Sequence, residues 1–179
     1  MVSAVDGNDG LDESIWQTIC EAVSAVSRGD PAAAQAATDR FAIRVPFDSQ
    51  PTLYLWWLLR YRVANVLGRR PTADDLHEIS QTARSEVLRI VRDPRYVENT
   101  LLTVWKLASA EQEMESGRLL VGSVVALGVL LGDPDEDLEG ARPHLAEWWR
   151  RNLEKVTADG FLDDRATPEA RLTARWPKQ

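Results

Sequence analysis

Lysine is nearly missing from this 179-residue chain, standing only at Lys106, Lys155 and Lys178, so arginine supplies almost all of its positive charge. Acid still dominates, with 28 Asp and Glu against 21 Lys and Arg and a formal net charge of −7. A surface of that sign does not displace counterions from a phosphate backbone, which argues against nucleic acid as a partner. Cysteine is scarcer still. Cys20 alone makes no internal disulfide and leaves no cysteine-based zinc site within one chain, and it fits a reducing cytoplasm.

Long apolar runs are absent too. The longest, "LLVGSVVALGVLL" from Leu119 to Leu131, falls well short of the roughly 20 residues that cross a bilayer, so it reads as a buried helix and no membrane is expected. The acidic opening "MVSAVDGNDGLDES" lacks the basic and apolar segments of an export signal, again pointing to the cytoplasm. Strand signals hardly occur. The best extended stretch, "AIRVPFDSQP", carries two prolines and reads as a connector.

Catalytic and metal-binding patterns are missing as well. The two histidines, His77 and His144, belong to different helical segments, and neither closes a Glu-x-x-His pair of the di-iron type; His144 and Glu147 give the reverse order. No metal and no cofactor are expected. "GRLLVGS" has phosphate-loop glycine spacing without the lysine that would reach phosphate. There is no Gly-x-Ser-x-Gly elbow. Asp74, Asp75 and Glu78 cluster where paired carboxylates do acid/base work, yet they open a helix, whose dipole favours negative charge. No catalytic residue is assigned.

What the chain does have is clear helix punctuation. "GDP" occurs at Gly29-Asp30-Pro31 and again at Gly132-Asp133-Pro134. Glycine can take the left-handed conformation past a helix end, aspartate accepts from the next helix's free amides, and proline fits its first turn. Asp93-Pro94 repeats the start, and Thr72 to Asp75 spells a capping box. These marks predict helices over about Leu11–Arg28, Pro31–Ile43, Pro51–Leu67, Ala73–Arg92, Pro94–Ala108, Gln112–Leu131 and Asp135–Val156, the last one broken near Pro143. The expected fold is an all-α single domain over residues 11–160, a bundle of about seven helices. They are arranged as antiparallel hairpins around two buried central helices, the third and sixth. Residues 1–10 are expected to be disordered and residues 161–179 partly mobile.

Within the third helix, Trp56 and Trp57 point about 100° apart and therefore serve two faces. Apolar residues surround that helix, yet Arg60 falls between Leu53, Trp56, Ala64 and Leu67. An unpaired guanidinium there is costly. The fifth helix carries an opposite anomaly, Glu98 among Leu101, Leu102 and Trp105. Three readings follow: a buried Arg60–Glu98 ion pair, an arginine that snorkels to water, or a pocket in which Arg60, Glu98, Trp56 and Trp105 hold an anionic or amphipathic ligand.

A second doublet, Trp148-Trp149, places Trp149 in the core stripe and Trp148 at its margin. Trp16, Trp148 and Trp176 are the candidate interface residues, because large amphipathic rings anchor protein contacts. Negative chemistry together with surplus aromatic surface makes the leading expectation a non-enzymatic cytoplasmic interaction module, a homodimer or the partner of another protein. The alternative is a small-molecule-binding or sensory bundle with a pocket near Arg60, and the third is a hydrolase using Glu98 or Asp75 as base.

Overall fold

The computed structural model describes residues 9–44, 50–83, 91 and 93–152. Among them the regular structure is entirely helical: α1 (Glu13–Ser27), α2 (Pro31–Arg44), α3 (Gln50–Leu67), α4 (Ala73–Thr82), α5 (Tyr96–Val104), α6 (Ser116–Leu130) and α7 (Pro134–Asn152). None of these is long and apolar enough to cross a membrane. The expected end of the last helix at Val156, the tail at 161–179 with Trp176, and most of the stretch from 84 to Arg92 lie outside the described residues.

The punctuation works through specific hydrogen bonds. Asp12 caps α1 by accepting from the Ile15 amide at 3.1 Å, and Asp30 caps α2 by accepting from Ala32 and Ala33 at 3.0 and 3.1 Å. Gly29 supplies the left-handed turn between those helices, with φ 68°. Thr72 and Asp75 form the reciprocal capping box at α4, and Arg69 grips the same Asp75 carboxylate at 2.6 and 2.7 Å. That arginine holds the Asp75 carboxyl far below the usual carboxylate range. The second "GDP" closes differently from expectation. Gly132 is not left-handed, and Leu131 ends α6 in an extended conformation. Asp133 then accepts from the Glu136 amide at 3.2 Å, while Asp137 reaches back to the amides of Gly132 and Asp133.

Three boundaries differ by four residues or more from the pattern-based expectation, and one expected break is absent. The start of α6 lies at Ser116 instead of Gln112. Helix α4 stops at Thr82, with Ala83 as its cap, well before the expected Arg92. Helix α5 stops at Val104 instead of Ala108, for a reason that matters below. The last helix does not break at Pro143, which lies inside a continuous α7. Pro143 is exposed, as are Glu139 and Gly140 one turn back, so the lost backbone bond falls on the wet side. On the opposite side Leu138, Ala141, Leu145, Trp148 and Trp149 are buried and hold the helix in one piece.

The centre of the bundle is α6, which packs against α1, α2, α3 and α5, while α3 touches α1, α5, α6 and α7. The expected central pair is therefore present. Close approach depends on two glycines of α6. A Cβ on Gly122 would collide with the Thr100 hydroxyl of α5, and one on Gly128 would collide with Val26 of α1 and lie 3.1 Å from the Val23 carbonyl. The two tryptophans of α3 do serve two sides. Trp57 stacks on Tyr61 at 4.8 Å and lies 6.3 Å from Trp148 of α7, whereas Trp56 precedes Arg60 by one turn.

Candidate functional site

Every residue from Pro51 to Arg60 is buried, and Arg60 itself is 1% exposed. Its Nε and Nη2 donors reach the end of another helix. The last four carbonyls of an α-helix lack intrahelical donors. In α5 these belong to Leu102, Thr103, Val104 and Trp105. Lys106 adopts a left-handed conformation with φ 55°, and the chain folds back so that its amide reaches Thr103 O at 3.1 Å. The Leu107 and Ala108 amides both reach Leu102 O, at 2.8 and 3.1 Å. This is the Schellman arrangement, and it leaves the Val104 carbonyl uncovered by backbone. Arg60 covers it. Its Nε donates to Val104 O at 2.8 Å, and its Nη2 donates to the same oxygen.

Two further effects favour a cation at this point. The carbonyl end of a helix carries partial negative charge, which stabilises a nearby guanidinium. The Arg60 guanidinium carbon also lies 5.2 Å from the centre of the Trp105 ring, within cation–π range. Arg60 and Trp105 are thus brought together as the sequence suggested, and Trp56 is buried a turn away on the same helix.

Glu98 goes elsewhere. It lies in the first turn of α5 with its side chain 16% exposed, and its Oε1 is 2.9 Å from Nδ1 of His77 on α4. The expected pairing of Arg60 with Glu98 is replaced by two separate ties: α3 to the end of α5, and α4 to its beginning. Sequence patterning missed both partners. A backbone acceptor has no residue signature, and an end marked by Lys106 in place of glycine gives no visible stop. His77 lay on the polar side of α4, where nothing distinguished it from other solvated residues.

Other buried polar side chains are also committed locally. Thr18, Ser80, Thr100, Thr103 and Ser123 each donate to a carbonyl three or four residues earlier in their own helices, at 2.7 to 2.8 Å. Thr100 additionally approaches the Met114 sulfur at 3.2 Å. Burial pushes the Cys20 thiol up to about 11, leaving it protonated and unreactive near neutral pH. Among the described residues no three His, Cys, Asp or Glu side chains gather as a metal site.

Two of the three interface candidates, Trp16 and Trp148, occupy the interior of a single chain, and Trp176 lies outside the described residues. Trp16 is 5% exposed and lies under Arg142, whose guanidinium carbon is 5.4 Å from its ring centre and whose nitrogens bond Asp9 and Glu13 at 2.7 Å. Trp148, expected at the margin, is 6% exposed and packs between Trp57 and Trp149. Its helix turns further into the core than the wheel indicated, because α3 offers Trp57 and Tyr54 as ring partners for the doublet. Neither ring is therefore an open contact surface. Comparisons with protein-family models, curated proteins and solved structures found no match.

Proposed function

We propose that this chain is a non-catalytic helical interaction module that works as a homodimer. The observation that carries the proposal is the use of Arg60: the buried guanidinium closes the end of α5 and tethers it to α3, a structural task. The five back-bonded hydroxyls support the same reading, since their polar atoms turn to neighbouring backbone and do not converge on a common reacting point. A reducing, cytoplasmic setting accords with the free thiol of Cys20.

Small-molecule binding through Arg60 is the competing assignment, and the two separate by experiment. Light scattering at high micromolar concentration is expected to give the mass of two chains. Melting in the presence of organic anions is expected to show no concentration-dependent rise. A monomer whose melting temperature climbs with added anion would replace the interaction module by a binding bundle.

A further inference from the structure

We propose that Met114 is an oxidation site: a hydroperoxide converts its thioether to the sulfoxide, and the change releases the first turn of α6 from α5. No side chain caps that turn, since Glu115, its N-cap residue, makes no capping bond. The entry to the central helix is held instead by the residue before it. The Met114 amide donates to the Thr103 hydroxyl at 3.3 Å, and the Met114 sulfur accepts from the Thr100 hydroxyl at 3.2 Å. Both threonines belong to α5. On the α6 side Gly122 makes the room, because a Cβ there would lie 3.3 Å from the Met114 methyl. Sulfur and methyl therefore fill the seam between the two helices.

Access and chemistry select this sulfur. Met114 is half-buried, whereas the described tryptophans are buried, and burial keeps the Cys20 thiol protonated and so slow toward peroxides. A thioether needs no deprotonation. With hydrogen peroxide, its lone pair attacks one oxygen, the O–O bond breaks, and that oxygen stays on sulfur while its proton leaves with the departing hydroxide as water. Sulfur gives up two electrons and the peroxide takes them. The chain's other methionine, Met1, lies outside the described residues.

The product does not suit the seam that the thioether fills. Sulfoxidation turns a flexible apolar side chain polar, and the new oxygen is a strong acceptor that must find a donor or water. Thr100 is a poor donor for it. That residue is fully buried, and its hydroxyl has one proton, already drawn to the Tyr96 carbonyl at 2.8 Å, the shorter of its two contacts. Thr103 is engaged likewise with the Asn99 carbonyl at 2.7 Å. The sulfoxide oxygen accordingly turns to water, the methyl leaves Gly122, and the start of α6 loosens. Methionine sulfoxide reductases acting with a dithiol return the thioether, so the release is reversible.

Amide hydrogen exchange followed by NMR on the full chain, before and after hydrogen peroxide at neutral pH, tests this, with peptide mass spectrometry locating the added oxygen. Two amides report. That of Met114 bonds Thr103, and that of Leu119 bonds the Glu115 carbonyl at 2.8 Å in the first turn of α6. Met114 is expected to take up oxygen while Cys20 stays a thiol, and both amides to exchange about tenfold faster or more, with the centre of α6 unchanged. Reducing the same sample with methionine sulfoxide reductases and a dithiol is expected to restore slow exchange. Met114→Leu, close in volume, is expected to keep slow exchange in peroxide, and Met114→Gln to exchange fast without it. A Met114 that oxidises only once urea has unfolded the chain overturns the site. Unchanged exchange at both amides after oxidation, or the same peroxide response in Met114→Leu, overturns the release. The oxidised and re-reduced wild type decides alone where either variant fails to fold.

Discussion

Lys106 holds a left-handed backbone conformation that residues with a Cβ adopt at a cost, and it does so because the Schellman turn at the end of α5 requires it. Lys106→Gly is therefore expected to raise stability by up to about 1 kcal/mol in urea unfolding, the reverse of what glycine does inside a helix. No gain, or a loss, would mean that the lysine stem contributes more than its backbone conformation costs. The same turn explains how far Arg60 could be understood in advance. Its burial was legible, because helical spacing alone placed it among Leu53, Trp56 and Ala64. Its partner was not legible, since carbonyl oxygens are identical at every residue and only the early stop of α5 singles out Val104. Glu98 offered itself as the partner because opposite charges in apolar arcs suggest pairing, whereas the fold gives it His77.

At the scale of elements, capping chemistry is the most transferable signal, and the seven helices follow from it together with periodicity. Length failed where punctuation was missing or overruled. Pro143 is the clearest case: the ring breaks a local rule, yet the apolar side of α7 keeps the helix continuous by burying Leu138, Leu145 and Trp149. Pro143→Ala restores a backbone donor on the wet side. It is expected to stabilise by about 1–2 kcal/mol, less than the ~3 kcal/mol propensity difference because proline also restricts the unfolded chain. A melting temperature that falls would show that the proline is needed. Glycine in α6 is the opposite case. Gly128→Ala drives a methyl into Val26 and toward the Val23 carbonyl, neither of which is the free end of a flexible chain. A loss of about 1–3 kcal/mol is expected, and a neutral result would require α1 and α6 to separate without penalty.

For the whole molecule, acidic groups act as fasteners as well as surface charge. Asp9, Glu13 and Asp75 all have folded pKa values depressed by arginine hydrogen bonds, from Arg142 for the first two and Arg69 for the third. A depressed carboxyl contributes stability above its unfolded pKa and loses it as protons bind. The urea midpoint is therefore expected to fall as pH drops from about 5 to 3, and a flat profile would show that these bonds are not formed in solution. The bundle is tied more centrally by Arg60, which joins α3 to the end of α5 across the core. A double-mutant cycle in urea measures that tie directly. Arg60→Leu strands the Val104 carbonyl and is expected to cost about 2–3 kcal/mol, and Glu98→Leu, at a partly exposed pair, under about 1 kcal/mol. The two losses are expected to add to within about 0.5 kcal/mol, because the side chains hold different ends of α5. A coupling well above that, or an Arg60→Leu variant as stable as wild type, would contradict the assignment of Arg60 to the helix end.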